Sequence, residues 1–149
     1  MATKPKRLNY IPKMNLTDQI VADGKQFMET LAAYPKDEPV TMINILKFRE
    51  KSGRGEESGE DAYRRYSINV FPLVQKAGAQ VVWSGRIKGT IIGDYEDHPH
   101  VLLLVKYPNI QAFMDMAMSE EYQQVKHDRE IALEYGGLLP AQEVPGMGI

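Results

Sequence analysis

The segment Val40-Thr-Met-Ile-Asn-Ile-Leu-Lys-Phe48 constrains the fold more than any other part of the chain. Most of its residues are apolar or β-branched, which is typical of a β-strand. Both alternating faces carry apolar residues: Val40, Met42, Leu46 and Phe48 lie on one, and Ile43 and Ile45 on the other. Because a strand with this pattern is buried on both sides, the sequence predicts a sheet with two covered faces.

The rest of the chain alternates between helical and strand patterns. An amphipathic helix is predicted from Thr17, its N-cap, to Tyr34, and a second helix begins at Glu60. Pro72 lies inside the second helix and predicts a kink there or two short helices. A β-hairpin is predicted over 80–93 and 100–107, and a short helix over 110–117. Ser119 is predicted to cap the next helix, which runs to about Tyr135, and a last strand is predicted over 138–144. Pro140 places the last strand at a sheet edge.

The predicted order from residue 40 is strand, helix, strand, strand, helix, strand, which is the ferredoxin-like plan. We therefore expect an α+β fold with a βαββαβ protomer, an antiparallel sheet and an extra N-terminal helix. Residues 1–36 are assigned to an N-terminal arm and amphipathic helix, and residues 37–149 to the ferredoxin-like domain. Since the helices cover only one apolar face of the sheet, a second copy is the economical cover for the other, and a homodimer is expected.

Composition excludes several classes of function. The 149 residues include 18 basic and 20 acidic side chains, so no basic surface for nucleic acid is expected. No apolar segment approaches the roughly 20 residues of a membrane helix, and we expect a cytoplasmic protein that binds no membrane. The absence of cysteine excludes thiol nucleophiles, Cys-ligated zinc and iron–sulfur clusters. No cofactor motif is present, so no cofactor is expected.

Four segments resemble one family: Val40 to Arg49, Ala62-Tyr-Arg-Arg-Tyr66, Gln80-Val-Val-Trp-Ser-Gly-Arg86 and Glu121-Tyr-Gln-Gln-Val-Lys-His-Asp-Arg129. They resemble the domain-of-unknown-function family 1330 of the dimeric α+β barrel superfamily, from about Pro39 to about Leu138. The resemblance implies a ferredoxin-like protomer whose sheet packs on that of a partner. The superfamily includes cofactor-independent monooxygenases, muconolactone isomerase-like enzymes, haem-dependent dismutases and proteins of no known activity, so the fold constrains the chemistry little.

Asn44 is an amide in the middle of an apolar strand. Leaving its donors and acceptor unpaired in a core would cost about 1–3 kcal/mol, so it needs partners. One interpretation is a core amide bonded to neighbouring backbone or to Tyr66. The other is a polar contact for a ligand in a pocket.

Arg129 shares a predicted helical face with Tyr122, Val125 and Leu133. An arginine there pairs with a carboxylate or with carbonyls, reaches past the core to water, or contacts a ligand. His127 lies nearly opposite that face, where an exposed histidine is the simple interpretation. As a catalytic base it would need a nearby cleft or a dimer partner.

Arg86 shares one face of its predicted strand with Ser84, Lys88 and Thr90, and Trp83 lies on the other face. If the first face lines the barrel, its cations favour a carboxylate-bearing ligand, whereas a bulge at Gly85 or Gly89 would swap the faces. Trp83 is either a core residue or a platform for a substrate. Tyr66 is either core or a buried phenol that orients a ligand.

His98 and His100 lie beside three acidic residues, but without a third histidine nearby a metal site is not expected. Two functions stay open. The first is a small-molecule binder or a cofactor-independent enzyme for an enolisable or phenolic, carboxylate-bearing substrate, with His127 as catalytic residue. The residues expected to bind this anionic or aromatic ligand are Asn44, Tyr66, Trp83, Arg86 and Arg129. The second is a non-catalytic dimer whose polar core residues serve only stability.

Overall fold

The computed structural model describes residues 22–147. Within this range the elements are α1 (Gly24–Ala33), β1 (Val40–Phe48), α2 (Gly59–Lys76), β2 (Gln80–Arg86), β3 (Val101–Tyr107), α3 (Ile110–Ala117), α4 (Glu120–Ala132) and β4 (Leu133–Ala141). The predicted basic arm and the predicted N-cap Thr17 lie outside the described residues. No helix formed by residues 22–147 has the length and apolar character needed to cross a membrane.

The four strands form one sheet in the order β2-β3-β1-β4, and every neighbouring pair is antiparallel. This order and the element sequence from β1 to β4 confirm the predicted α+β, ferredoxin-like fold. The strand β4 lies at an edge, as Pro140 predicted, because an edge position does not need the backbone donor that proline lacks.

The helices pack on the face of β1 that carries Val40, Met42, Leu46 and Phe48, all of which are buried. Two clusters of buried side chains form on this face. The first core cluster contains Met42 with residues of α1 and α3, and the second contains Leu46 with residues of α2 and α4. Asn44 lies between Met42 and Leu46 on the same face, so it separates the two clusters along the strand.

The opposite face of the sheet, called here the open face, is also apolar. Ile43 pairs with Leu104 and Ile45 pairs with Leu102 in the β1–β3 ladder, and these four side chains are only half-buried. Trp83 of β2 lies opposite Leu104 and is 53% exposed. The two-sided apolar pattern of β1 is therefore confirmed, and the described helices cover one of its faces.

Helix ends follow the capping residues, with one correction. Ser58 and Ser119 accept hydrogen bonds from backbone N–H groups of α2 and α4, so the predicted cap at Ser119 is confirmed. The first helix begins at Gly24 with Asp23 as its N-cap, and Ala22 and Asp23 are not helical. The Asp23 carboxylate accepts from the Gln26 N–H, which satisfies one of the donors left unpaired at a helix start.

Pro72 does not divide the second helix. The alternative of two short helices is wrong, because α2 is one helix from Gly59 to Lys76. Proline removes the hydrogen bond that the Ile68 carbonyl would accept. Both residues are exposed, so that carbonyl can be hydrated and the helix continues.

Two strand boundaries differ from the prediction. The strand β2 ends at Arg86 instead of Gly93, and its register shift lies between Val81 and Trp83 instead of at a glycine. The last strand begins at Leu133, within the range predicted as helix, and Gly136 pairs with Leu46. Gly136 reads locally as a helix stop, but pairing with a distant strand decides its conformation.

Candidate functional site

A cleft of about 490 Å³ lies where β1 ends and β3 begins. It is lined by Phe48, Arg49, Glu50, Ser58, Glu60, Arg86, His100 and Glu134. These residues come from the ends of β1 and β2, the start of β4, the start of α2 and the residue before β3. We call it the strand-end cleft.

His100 is held in the strand-end cleft by the backbone of β1. Its Nδ1 accepts a hydrogen bond from the Phe48 N–H at 3.0 Å, and its ring stacks on the Phe48 ring at a centroid distance of 5.6 Å. Because Nδ1 is an acceptor, the neutral ring carries its proton on Nε2. The backbone bond therefore makes Nε2 a donor.

Burial lowers the pKa of His100 below its ordinary 6.5, and the charges of Lys47, His98 and Arg86 lower it further. The ring is therefore neutral near pH 7. No group among residues 22–147 forms a hydrogen bond with its Nε2. Every fully buried side-chain nitrogen or oxygen in that range does have a hydrogen-bond partner. Nε2 must therefore reach solvent, and the strand-end cleft is the space that His100 lines.

Two guanidinium groups supply further donors. Arg86 pairs with Val101 at the end of β2, and its Nη2 donates to the Glu60 carboxylate. Arg49 donates from Nε to the Leu133 carbonyl at 3.0 Å. A guanidinium has five N–H donors, so each side chain keeps donors that no group among residues 22–147 uses. Such groups bind carboxylate oxygens well.

Asn44 uses its amide within the protein. Its Nδ2 donates to the carbonyls of Met42 and Leu103, both at 3.3 Å. Its Oδ1 has no hydrogen-bond partner among the described residues. Because every fully buried polar side-chain atom in that range has a partner, Oδ1 must reach solvent. The interpretation of Asn44 as an amide bonded to neighbouring backbone is confirmed for its donors, while its acceptor stays open.

Tyr66 and Tyr122 share a hydrogen bond at 3.0 Å between their hydroxyl groups, under α2 and α4. Burial raises the pKa of Tyr66 well above its ordinary value and that of Tyr63 to about 12. The Arg129 charge opposes both shifts. The phenols are therefore neutral.

Arg129 reaches the sheet over a glycine. A Cβ on Gly136 would lie 3.1 Å from the Arg129 Nη2 and 2.7 Å from the Leu133 Cδ1. Gly136 pairs with Leu46, two residues from Asn44 on the same face of β1. Arg129 and Asn44 therefore lie on the same, helix-covered face, and together with Tyr66 and Tyr122 we call them the interior cluster.

The structure separates the remaining predicted site residues. Trp83 lies on the open face, where its ring covers Gly85, since a Cβ on Gly85 would be 2.3 Å from the Trp83 Cη2. His127 is exposed on α4. The structure places Arg86 with His100 in the strand-end cleft, whereas Asn44, Tyr66 and Arg129 lie on the helix-covered side of the sheet. Trp83 and His127 stay predictions as site residues.

The family model of the domain of unknown function DUF1330 matches residues 57–139, which is more than half of the chain. The chain belongs to this family. The matched region includes His100, Arg86 and Arg129 but not β1, so Asn44 and Phe48 lie outside it. The predicted membership of this family is confirmed, and three of the four segments that suggested it lie within the matched region.

Solved structures agree with the fold. A protein of unknown function from Rhodopseudomonas palustris is 24% identical, with a TM-score of 0.80 over 87% of this chain and 100% of that chain. Its methylated form aligns at 27% identity and 0.79, covering 87% of this chain and 98% of that chain. A dimeric, ferredoxin-like protein from Bacteroides fragilis is 12% identical, with a TM-score of 0.49 over 73% of this chain and 100% of that chain. A TM-score that low carries no argument about this chain. No curated protein matches it.

From the sequence, His100 was considered only for a metal site, which is not expected, and its place in the strand-end cleft was missed. Within residues 22–147 no group of three or more His, Asp or Glu side chains could hold a metal ion. The available signal was position: His100 is the first residue of a predicted strand, and the end of a strand is where side chains from several strands meet. Its partner, the Phe48 N–H, is 52 residues away in sequence, so local patterns could not identify it.

Proposed function

We propose that this DUF1330 protein binds a small molecule bearing a carboxylate or an enolisable carbonyl in the strand-end cleft. The observation that carries the proposal is the locked tautomer of His100, whose Nδ1 accepts from the Phe48 backbone while Nε2–H reaches solvent. Arg49 and Arg86 line the same cleft with unused N–H donors. Arg86 also donates to the Glu60 carboxylate and Arg49 to the Leu133 carbonyl, but the N–H groups that remain on both, with His100 Nε2–H, suit an oxygen that carries negative charge.

The same arrangement suits proton transfer next to a carbonyl. A neutral imidazole that donates from Nε2 can polarise a carbonyl oxygen and stabilise the enolate that forms when a carbon-bound proton leaves. Glu134 lines the cleft and is the carboxylate we assign to accept that proton. Return of that proton from Glu134 to a different carbon of the enolate completes a cofactor-independent isomerisation, which is the reaction class we propose for an enolisable or phenolic substrate.

The interior cluster supports a different role. The Asn44 amide donates to two backbone carbonyls, and the Tyr66 hydroxyl shares a hydrogen bond with the Tyr122 hydroxyl. These bonds favour stability over ligand contact for both side chains. This observation supports the non-catalytic interpretation for the interior cluster, while the strand-end cleft keeps the donors for a ligand.

The experiment is calorimetric titration with phenylpyruvate, which has a carboxylate, an enolisable carbonyl and an aromatic ring. In His100→Asn the amide oxygen can still accept from the Phe48 N–H, but no atom replaces Nε2. His100→Asn and Arg86→Gln should each weaken binding about tenfold or more, because each loses a hydrogen bond to a charged oxygen. Arg54→Gln removes an exposed guanidinium outside the cleft and is the matched control. Absence of binding, or equal affinity in all variants, would contradict the proposal.

The proposal includes a homodimer joined through the open face. Ile43, Ile45, Leu102 and Leu104 form a half-buried apolar surface there, and association is the usual way to cover one of that kind. Light scattering should give about twice the 16.9 kDa chain mass. Ile45→Glu should give a folded monomer, whereas Ile68→Glu, at an exposed position on α2, should stay dimeric. A monomeric wild-type chain at micromolar concentration would contradict this assembly.

A further inference from the structure

Glu60 lies between two arginines, Arg86 at the end of β2 and Arg64 on its own helix α2. One carboxylate oxygen, Oε1, accepts from the Arg86 Nη2 in the strand-end cleft. The other, Oε2, lies 4.0 Å from the Nη2 of Arg64, one helical turn further along α2. Arg64 is not among the residues that line the cleft. The carboxylate therefore has one cationic partner inside the cleft and another outside it.

Neither contact holds Glu60 firmly. The side chains of Glu60, Arg86 and Arg64 are 38%, 55% and 62% exposed, and ion pairs this exposed contribute little net stability. Arg64 also donates from Nη1 to Asp61 at 2.7 Å, which keeps its guanidinium beside the start of α2. Turning the Glu60 carboxylate from Arg86 toward Arg64 therefore gives up one weak ion pair and shortens the 4.0 Å contact with Arg64.

We infer that Glu60 is a built-in competitor for the anionic group of the ligand. In the empty cleft its carboxylate occupies Arg86; when a ligand carboxylate pairs with Arg86, Glu60 turns to Arg64. This inference rests on the proposed function, because it requires an anion to bind at Arg86. The competition makes Glu60 a specificity-determining residue. A neutral ester or amide cannot displace the Glu60 carboxylate from the Arg86 guanidinium. A ligand carboxylate can displace it, because His100 offers that ligand a second donor.

The test is the affinity of Glu60→Gln for phenylpyruvate, measured by calorimetry. Removing the competing charge should tighten binding about two- to fivefold, which is the range expected for an exposed ion pair. Arg64→Gln removes the alternative partner and should weaken binding. Glu56→Gln is the matched control: it makes the same change of net charge at an exposed carboxylate that pairs with Lys51 outside the cleft, and its affinity should stay within twofold of wild type.

The outcomes separate the two proposals. If wild-type binding depends on His100 and Arg86 but Glu60→Gln binds no more tightly, the competitor role is wrong and the proposed function stands. If neither wild type nor Glu60→Gln binds phenylpyruvate, the proposed function is wrong and the competitor role falls with it. A thermal melt checks the fold of Glu60→Gln, and Glu60→Ala, which also removes the charge, should shift the affinity in the same direction.

Discussion

Asn44 of the interior cluster and Phe48 of the strand-end cleft lie on opposite sides of Leu46 along β1, and the two regions use their polar groups differently. In the interior cluster, Asn44 and Tyr66 donate to or share hydrogen bonds with other groups of the protein. In the strand-end cleft, His100 and Arg86 each spend part of their hydrogen-bonding capacity on the protein and keep donors for solvent. Polar groups that the fold has satisfied contribute stability, whereas donors that remain unused are available to a ligand.

The largest expected effect comes from crowding the interior cluster. Gly136→Ala places a Cβ 2.7 Å from the fully buried Leu133 side chain and 3.1 Å from the Arg129 Nη2. Because Leu133 has no space to move into, the free energy of unfolding should fall by about 1–3 kcal/mol in a urea titration. Gly24→Ala, where a Cβ meets nothing within 4 Å, is the control. Unchanged stability of Gly136→Ala would show that the glycine is not required for packing.

A smaller effect separates the two regions directly. Asn44→Ala removes donors to the Met42 and Leu103 carbonyls and should lower the free energy of unfolding by about 1 kcal/mol. Its affinity for phenylpyruvate should stay within twofold of wild type. An affinity loss as large as that of His100→Asn, with stability retained, would instead make Asn44 a ligand contact, as one of its two sequence interpretations holds.

The smallest expected effect is a pH dependence of stability. The folded protein lowers the pKa of His100 below its ordinary 6.5, so the unfolded chain binds more protons in the interval between the two values. Stability from this group is therefore complete above pH 6.5 and is lost as the pH falls through the lowered pKa. Urea titrations across that interval should show a smaller loss for His100→Asn than for wild type. Coincident curves would contradict the neutral, tautomer-locked ring.

The short-range features of the fold could be predicted from the sequence. The two apolar faces of Val40–Phe48, the order of the strands and helices, the edge position given by Pro140 and the cap at Ser119 each depend on residues close together in the chain. Periodicity, capping and proline chemistry act over a few residues, so they can be recognised without a structure. The same patterns led to the ferredoxin-like fold, whereas the DUF1330 family was indicated by the resemblance of four segments to that family.

Long-range contacts decided the rest. The local sequence predicts a helix stop at Gly136, but in the structure Gly136 pairs with Leu46 in the sheet. It also predicts a kink or break at Pro72, but the helix continues because Ile68 and Pro72 are exposed to water. The sequence predicts His127 as the catalytic residue, and this stays a prediction; His100 was found only in the structure, where the Phe48 backbone orients its ring in the cleft that Arg86 also lines. The sequence determined which segments become strands and helices, because those preferences are local. Only the tertiary structure decided which polar atoms stay unpaired, because that depends on partners far away in the chain.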